Sequence, residues 1–88
     1  MKVESMTSSN GNVVPNQFVM HGDDGSSVFQ SYNSVIAKRD NGGILTLDEN
    51  FWDYSVTTSK YRNQFTGMNT KETKELLTSG VIGLANLN

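Results

Sequence analysis

Alternating apolar and polar positions predict strands in the first half of the chain. Three segments rich in β-forming residues stand out: Val14–Met20, Val28–Ala37 and Ile44–Asp48. Glycine-rich turns separate them, and the second of these turns contains Asn41-Gly42, a pair typical of tight hairpins because it tolerates positive φ angles. Three consecutive antiparallel strands are the simplest interpretation. Within the second strand, the side that carries Tyr32 and Ile36 is expected to face the core.

Helical spacing replaces this alternation after Asp48. Thr58, Tyr61, Phe65 and Met68 recur at intervals of three and four, which places them on one face of a helix from Thr57 to Gly67. Ser55 and Thr57 offer side-chain oxygens as N-caps, and Gly67 is a natural stop.

A second helix follows, from Asn69 to Gly80. Asn69 and Glu72 have the spacing of a capping box, in which each side chain accepts a hydrogen bond from the other residue's backbone N–H. Thr73, Leu76 and Leu77 are expected to face inward. The run Val81–Leu87 then predicts a final strand.

The predicted fold class is α+β: a small antiparallel sheet, made of a three-stranded meander plus a C-terminal strand, with two short helices in the order β-β-β-α-α-β. Residues 14–88 are expected to form this single domain. Residues 1–13 are polar and lack periodicity, so we expect a flexible N-terminal tail, with a short strand at Met1–Glu4 as the alternative.

Composition limits how this domain is stabilised and where it acts. Only 35% of the 88 residues are apolar and no cysteine is present, so neither disulfides nor a thiolate metal site can reinforce a small core. A second copy of the chain could supply the missing apolar contacts, which makes a homodimer a hypothesis. The net charge of −2 is unlike that of a typical nucleic-acid-binding domain. No signal peptide or membrane-spanning run is present, so we expect a cytoplasmic protein without membrane contact.

Residues suited to catalysis or metal binding are few. His21 lies close to Asp23 and Asp24, but this is the composition of an ordinary polar turn. Asp48 and Asp53 belong to an acidic group whose spacing matches no calcium loop; a turn role suits Asp48 and a position near a helix N-terminus suits Asp53. We therefore expect no catalytic residue, no metal and no cofactor, and a protein that is not an enzyme.

Basic and aromatic residues interleave in one stretch and give the candidate binding residues. They are Trp52, Tyr54, Lys60 and Arg62, together with Lys38 and Arg39 from the turn region. Stacking and phosphate contacts by such residues can hold single-stranded nucleic acid. Trp, Tyr and Arg are equally the residues enriched at protein-binding hot spots. A structural alternative is that Trp52 and Tyr61 belong to the core.

The run LTLDENFWDYSVTTSKYRNQF (residues 45–65), with Ser31-Tyr32 before it and Leu87-Asn88 after it, resembles small uncharacterised proteins encoded by bacteriophages. The resemblance implies a non-enzymatic phage protein that binds a host or defence-system target in the host cell cytoplasm, as anti-CRISPR inhibitors do. Two alternatives remain: a small nucleic-acid-binding protein, and a structural or assembly component of the virion.

Overall fold

A six-stranded sheet with two helices packed on one of its faces makes up the computed structural model, which describes residues 1–88. The strands are β1 (Lys2–Thr7), β2 (Val13–His21), β3 (Ser27–Ser31), β4 (Ser34–Arg39), β5 (Leu45–Asp48) and β6 (Gly83–Ala85), and the helices are α1 (Val56–Thr66) and α2 (Thr70–Ser79). The strands lie side by side in chain order. Neighbours from β1 to β5 are antiparallel, whereas β6 runs parallel to β5.

The predicted sheet, a three-stranded meander plus a fourth strand in the order β-β-β-α-α-β, is wrong. The observed order is β-β-β-β-β-α-α-β, and the sheet is mixed rather than antiparallel. Two further strands account for the difference in number. One comes from the N-terminal segment, and the other arises because the long predicted strand at residues 28–37 is two strands joined by a tight turn.

Tyr32 and Asn33 form that turn. Tyr32 has a left-handed φ of 54°, and its backbone N–H donates to the carbonyl of Asn16 over 2.7 Å. Its side chain is 47% exposed, so the expected core position of Tyr32 is wrong, while Ile36 is buried as expected. Left-handed backbone is uncommon for an aromatic residue, and the absence of glycine hid the turn from sequence inspection.

Strand β1 occupies the segment that the sequence suggested was a flexible tail. It pairs with β2 in a register that aligns Lys2 with His21 and Ser5 with Phe18. Met6, 7% exposed, anchors it to the core. Strand β1 lies at the sheet edge and lacks a continuous apolar alternation. Its conformation therefore depends on its pairing with β2.

Strand β6 is shorter than the predicted Val81–Leu87 segment and pairs in the opposite sense to the antiparallel arrangement expected. The two helices form the long crossover that a parallel pair requires. Beyond β6, the Leu87 N–H donates to Asp48 over 2.8 Å, and the Asn88 side chain exchanges two hydrogen bonds with the backbone of Val35.

Both helices begin and end at the predicted residues, to within one position. Ser55 caps α1 through the N–H of Thr58, and Asn69 and Glu72 form the predicted capping box of α2. Gly67 and Gly80 end the helices in left-handed conformations. Neither helix has the length or apolar character needed to cross a membrane.

The core lies between the helices and one face of the sheet. Phe29, Ala37 and Leu47 form a row across β3, β4 and β5, and all three are fully buried. Phe65 of α1 stacks on Phe29 with ring centroids 5.9 Å apart. Because successive residues of a strand point to opposite faces, the alternate residues of these strands point away from the helices. We call this second side the open sheet face.

Candidate protein-binding surface

The six residues predicted to form one binding patch lie in different environments. Tyr54 and Lys60 are exposed and line the same groove beside α1. Arg39 packs on the Phe65 ring and donates to the Phe65 carbonyl at the end of α1, while Lys38 points to the open sheet face. The structure therefore does not bring the four basic candidates together into a continuous positive surface.

Arg62 is completely buried, so its assignment as an exposed interface anchor is wrong. One terminal nitrogen, Nη1, donates to the Trp52 carbonyl over 2.6 Å and to Asp53 over 3.2 Å. The other, Nη2, donates to Asn63 over 2.9 Å and to Thr70 over 2.8 Å. These acceptors replace water at the two terminal nitrogens, whereas the buried Nε atom has no hydrogen-bond partner.

Trp52 is half-buried and covers this guanidinium, with the Arg62 Cζ atom 5.2 Å from the centre of the ring. The structural interpretation of Trp52 as a core residue is thereby favoured, since it also packs against the hydrophobic core. Arg62 thus joins three segments: the loop that follows β5, its own helix α1, and the first residue of α2.

The loop from Glu49 to Ser55 is fixed at both ends. Asp48, fully buried, accepts hydrogen bonds from the N–H groups of Asn50 and Phe51, which confirms its predicted turn role. At the other end Ser55 caps α1. Between them, Phe51 and Tyr54 make an edge-to-face pair with ring centroids 5.6 Å apart. The exposed Tyr54 is therefore presented by a loop whose backbone is held by hydrogen bonds at both ends.

The pKa values of Asp48 and Asp53 are both lowered. Burial by itself opposes ionisation of Asp48, but the N–H groups of Leu87, Asn50 and Phe51 donate to the charged form and bring its pKa below the ordinary 3.8. Burial likewise opposes ionisation of Asp53, and hydrogen bonds from Ser59 and Arg62 outweigh it, so that pKa is lowered too. Asp53 lies two residues before the N-cap of α1, close to the helix N-terminus as predicted.

Tyr54, Val56 and Lys60 form what we call the Tyr54 surface. Tyr54 is 48% exposed and Val56 is 89% exposed, so a phenol ring and an aliphatic side chain stand in solvent beside the exposed Lys60. All three line the groove beside α1. Asp53 is committed to Arg62 and Ser59, which leaves the ammonium of Lys60 as the uncompensated charge of this surface.

Val56 was missed by sequence reasoning because the predicted helix began one residue later. The available signal was an apolar residue directly after the Ser55 cap, on the opposite side of the helix from Thr58 and Tyr61. A residue at that position cannot reach the core, and α1 buries Thr58, Tyr61 and Arg62 instead.

The histidine and acidic residues form no metal centre. No group of three or more histidine, cysteine, aspartate or glutamate side chains lies close enough to hold a metal ion. His21 pairs with Glu4 of the adjacent strand over 2.6 Å rather than with Asp23 or Asp24. Asp24 accepts hydrogen bonds from Ser26, which lower its pKa and make it part of the turn.

Comparison with known proteins identifies a family but no described relative. The profile of a family of unknown function, DUF8033, matches residues 1–80 of the 88. The chain belongs to this family. No curated protein and no solved structure matches the sequence.

The DUF8033 match spans β1 through α2 and so includes the whole Tyr54 surface and the Arg62 network. Strand β6 and the residues after it lie beyond the matched segment. The features that present Tyr54 thus belong to the part of the chain that defines its DUF8033 membership.

Proposed function

We propose that this DUF8033 protein is a non-enzymatic binding protein that recognises another protein through the Tyr54 surface. The observation that carries the proposal is the combination of an exposed Tyr54 and Val56 with a fully buried arginine that holds the loop carrying Tyr54. Loops held by a rigid scaffold are where binding residues concentrate.

The energetic argument rests on preorganisation. A binding loop that is disordered in the free protein loses conformational entropy when it docks, and this loss weakens the complex. Here Arg62 holds the Trp52 carbonyl, Asp48 holds the start of the loop, and Ser55 holds its end. Tyrosine adds a large contact area with few torsions to immobilise, which explains its enrichment at hot spots.

The Tyr54 surface suits a protein partner that offers an apolar pocket with an acidic rim. The phenol ring and Val56 supply the apolar contact, and Lys60 supplies a positive charge at the edge. Rim charges of this kind affect association rate and specificity more than affinity. Nucleic-acid binding receives less support, because Arg62 is buried and Arg39 is engaged with Phe65.

The resemblance to small bacteriophage proteins directs the search for the partner to the cytoplasm of a bacterial host. A host or defence-system protein, such as a CRISPR effector, is the class of target we propose. A virion component is the competing role, and it predicts the protein in purified phage particles rather than in complex with a host protein.

Affinity capture with surface variants tests the proposal. Tagged wild-type protein, Tyr54→Ala and Lys60→Glu are compared in the same bacterial lysate, with Lys71→Glu as the matched charge reversal on the outer side of α2. A tyrosine hot spot is expected to contribute at least about 2 kcal/mol, which corresponds to roughly thirtyfold weaker binding of Tyr54→Ala. Equal capture by Tyr54→Ala and wild type, with both proteins folded, would contradict the proposal.

A further inference from the structure

The open sheet face carries apolar side chains that neither helix covers. A cross-strand row runs over five strands and consists of Val3, Met20, Val28, Lys38 and Thr46. A second row, from β1 to β4, consists of Ser5, Phe18, Gln30 and Val35. None of the apolar members of these rows packs against the core cluster between the sheet and the helices.

Exposure of these residues sets them apart from isolated surface hydrophobics. Val3 is 60% exposed, while Phe18, Met20, Val28 and Val35 are half-buried. Leu87 of the C-terminal segment lines the same concavity as Met20, Val28 and Val35. Contiguous apolar patches of this kind mark interaction sites, because water contact with them is costly.

We propose that the open sheet face is the interface of a symmetric homodimer, with a second copy of this chain as its occupant. Two sheets packed face to face interdigitate their side chains about 10 Å apart and form a second core. A twofold axis makes each patch its own partner, which is the commonest arrangement of soluble oligomers. This proposal rests on different residues from those of the Tyr54 surface.

The size of the face agrees with a dimer interface. The five strands of the longer row, about 4.8 Å apart and roughly 17 Å long, cover roughly 400 Å² in plan, and upright side chains raise the accessible area above that figure. Pairing two faces therefore buries on the order of 1,000 Å² in total, where specific interfaces begin. The broad sides of a molecule measuring 35 × 30 × 21 Å are the ones that offer this area.

Two further observations favour a second copy over a foreign partner. Lys38 is the single charged side chain in the two rows, so the patch lacks the charge pattern that selects a particular partner. In addition, only 14 of 88 residues are buried, and a copy of the same chain is always present to add apolar burial.

Measurement of mass and of inter-copy distance tests this interface. Sedimentation at about 50 µM is expected to give twice the 9.7 kDa chain mass. Because the chain has no cysteine, single substitutions Lys38→Cys and Lys71→Cys each accept one spin label per copy. The open-face labels at position 38 are expected to lie closer together than those at position 71 on the outer side of α2.

Charge insertion supplies the matched comparison. Val28→Glu on the open face is expected to shift the dimer to monomer, with at least a tenfold weaker association, whereas Val56→Glu on the Tyr54 surface leaves the dimer intact. If Val28→Glu does not fold, Val3→Glu replaces it as the open-face variant, because Val3 lies at an exposed position of the edge strand. A wild-type monomer at 50 µM, or labels closer at position 71 than at position 38, would overturn the proposal. Loss of partner capture in Val56→Glu with the dimer retained would separate the two surfaces.

Discussion

Replacement of Arg62 by methionine removes the guanidinium while keeping most of the side chain's length. Arg62 is fully buried, so the substitution changes the interior and not the surface. Two opposing effects decide the outcome. Removing a buried charge eliminates its desolvation cost, which by itself stabilises the folded state. Removing its hydrogen bonds leaves the acceptors without a partner, which destabilises it.

The acceptors around Arg62 determine which effect is larger. Asp53 keeps a hydrogen bond from Ser59, and Thr70 keeps a weak one from Asn63 over 3.4 Å. The Trp52 carbonyl has no other partner among the side chains and is orphaned. Since hydrogen bonds to charged groups contribute about 1.5–3 kcal/mol each and do not add fully, we expect Arg62→Met to cost about 2–3 kcal/mol.

Urea unfolding followed by tryptophan fluorescence measures this cost, because Trp52 covers the substituted side chain. A domain of this size has a free energy of unfolding of about 4–13 kcal/mol, so the expected loss is a large fraction of it. The expected shift in Tm is about 10–20 °C. Lys60→Met removes the same charge from an exposed position and is expected to change stability by less than about 0.5 kcal/mol.

A result within about 1 kcal/mol of wild type, or a gain in stability, would refute the reasoning for Arg62→Met. It would mean that the desolvation cost of the guanidinium equals or exceeds the contribution of its hydrogen bonds.

Three further predictions concern the turns and caps. Asp48→Asn is expected to cost about 1–3 kcal/mol in urea unfolding at pH 7, because the carboxylate accepts three backbone hydrogen bonds. Since the pKa of Asp48 is lower in the folded state, its contribution is complete above about pH 5 and is lost as pH falls below 3.8, so the cost of Asp48→Asn should shrink at pH 3. Tyr32→Asn is expected to raise the free energy of unfolding by up to about 1 kcal/mol, and Tm with it, because asparagine tolerates the left-handed φ of 54°. Tyr32→Val is expected to lower Tm, because a β-branched residue is strained at this φ. The opposite order of the two Tm values would contradict the assigned turn. Asn69→Ala is expected to cost about 1 kcal/mol by thermal unfolding, and no change would argue against the capping box.

The helices could be predicted because their signals are local. Ser55 and Asn69 cap through hydrogen bonds to residues three positions away, and Gly67 and Gly80 stop the helices by their own backbone conformation. Such interactions depend on neighbouring residues in the chain and are visible in the sequence.

The sheet could not be predicted in the same way, because its strands depend on distant partners. The edge strand β1 is defined by its register with β2, and the turn at Tyr32 is held by the Asn16 carbonyl, sixteen residues earlier. The parallel sense of β6 depends on the crossover that both helices form after β5, which no short segment encodes.

The buried state of Arg62 was within reach of sequence analysis. Thr58, Tyr61, Arg62 and Phe65 stand at intervals of three, one and three, so Arg62 shares the helix face assigned to the core. Its charge suggested a surface role instead. What the sequence could not show is that Trp52, Asn63 and Thr70 would converge on the guanidinium with their oxygen atoms.

Binding through the Tyr54 surface is tested most directly by quantitative affinity capture from a bacterial host lysate with wild-type protein, Tyr54→Ala and Lys71→Glu. We predict that wild type and Lys71→Glu retain the same host protein in near-equal amounts, and that Tyr54→Ala retains roughly thirtyfold less. Retention of no host protein by wild type, or equal retention by all three folded variants, would contradict the proposed function.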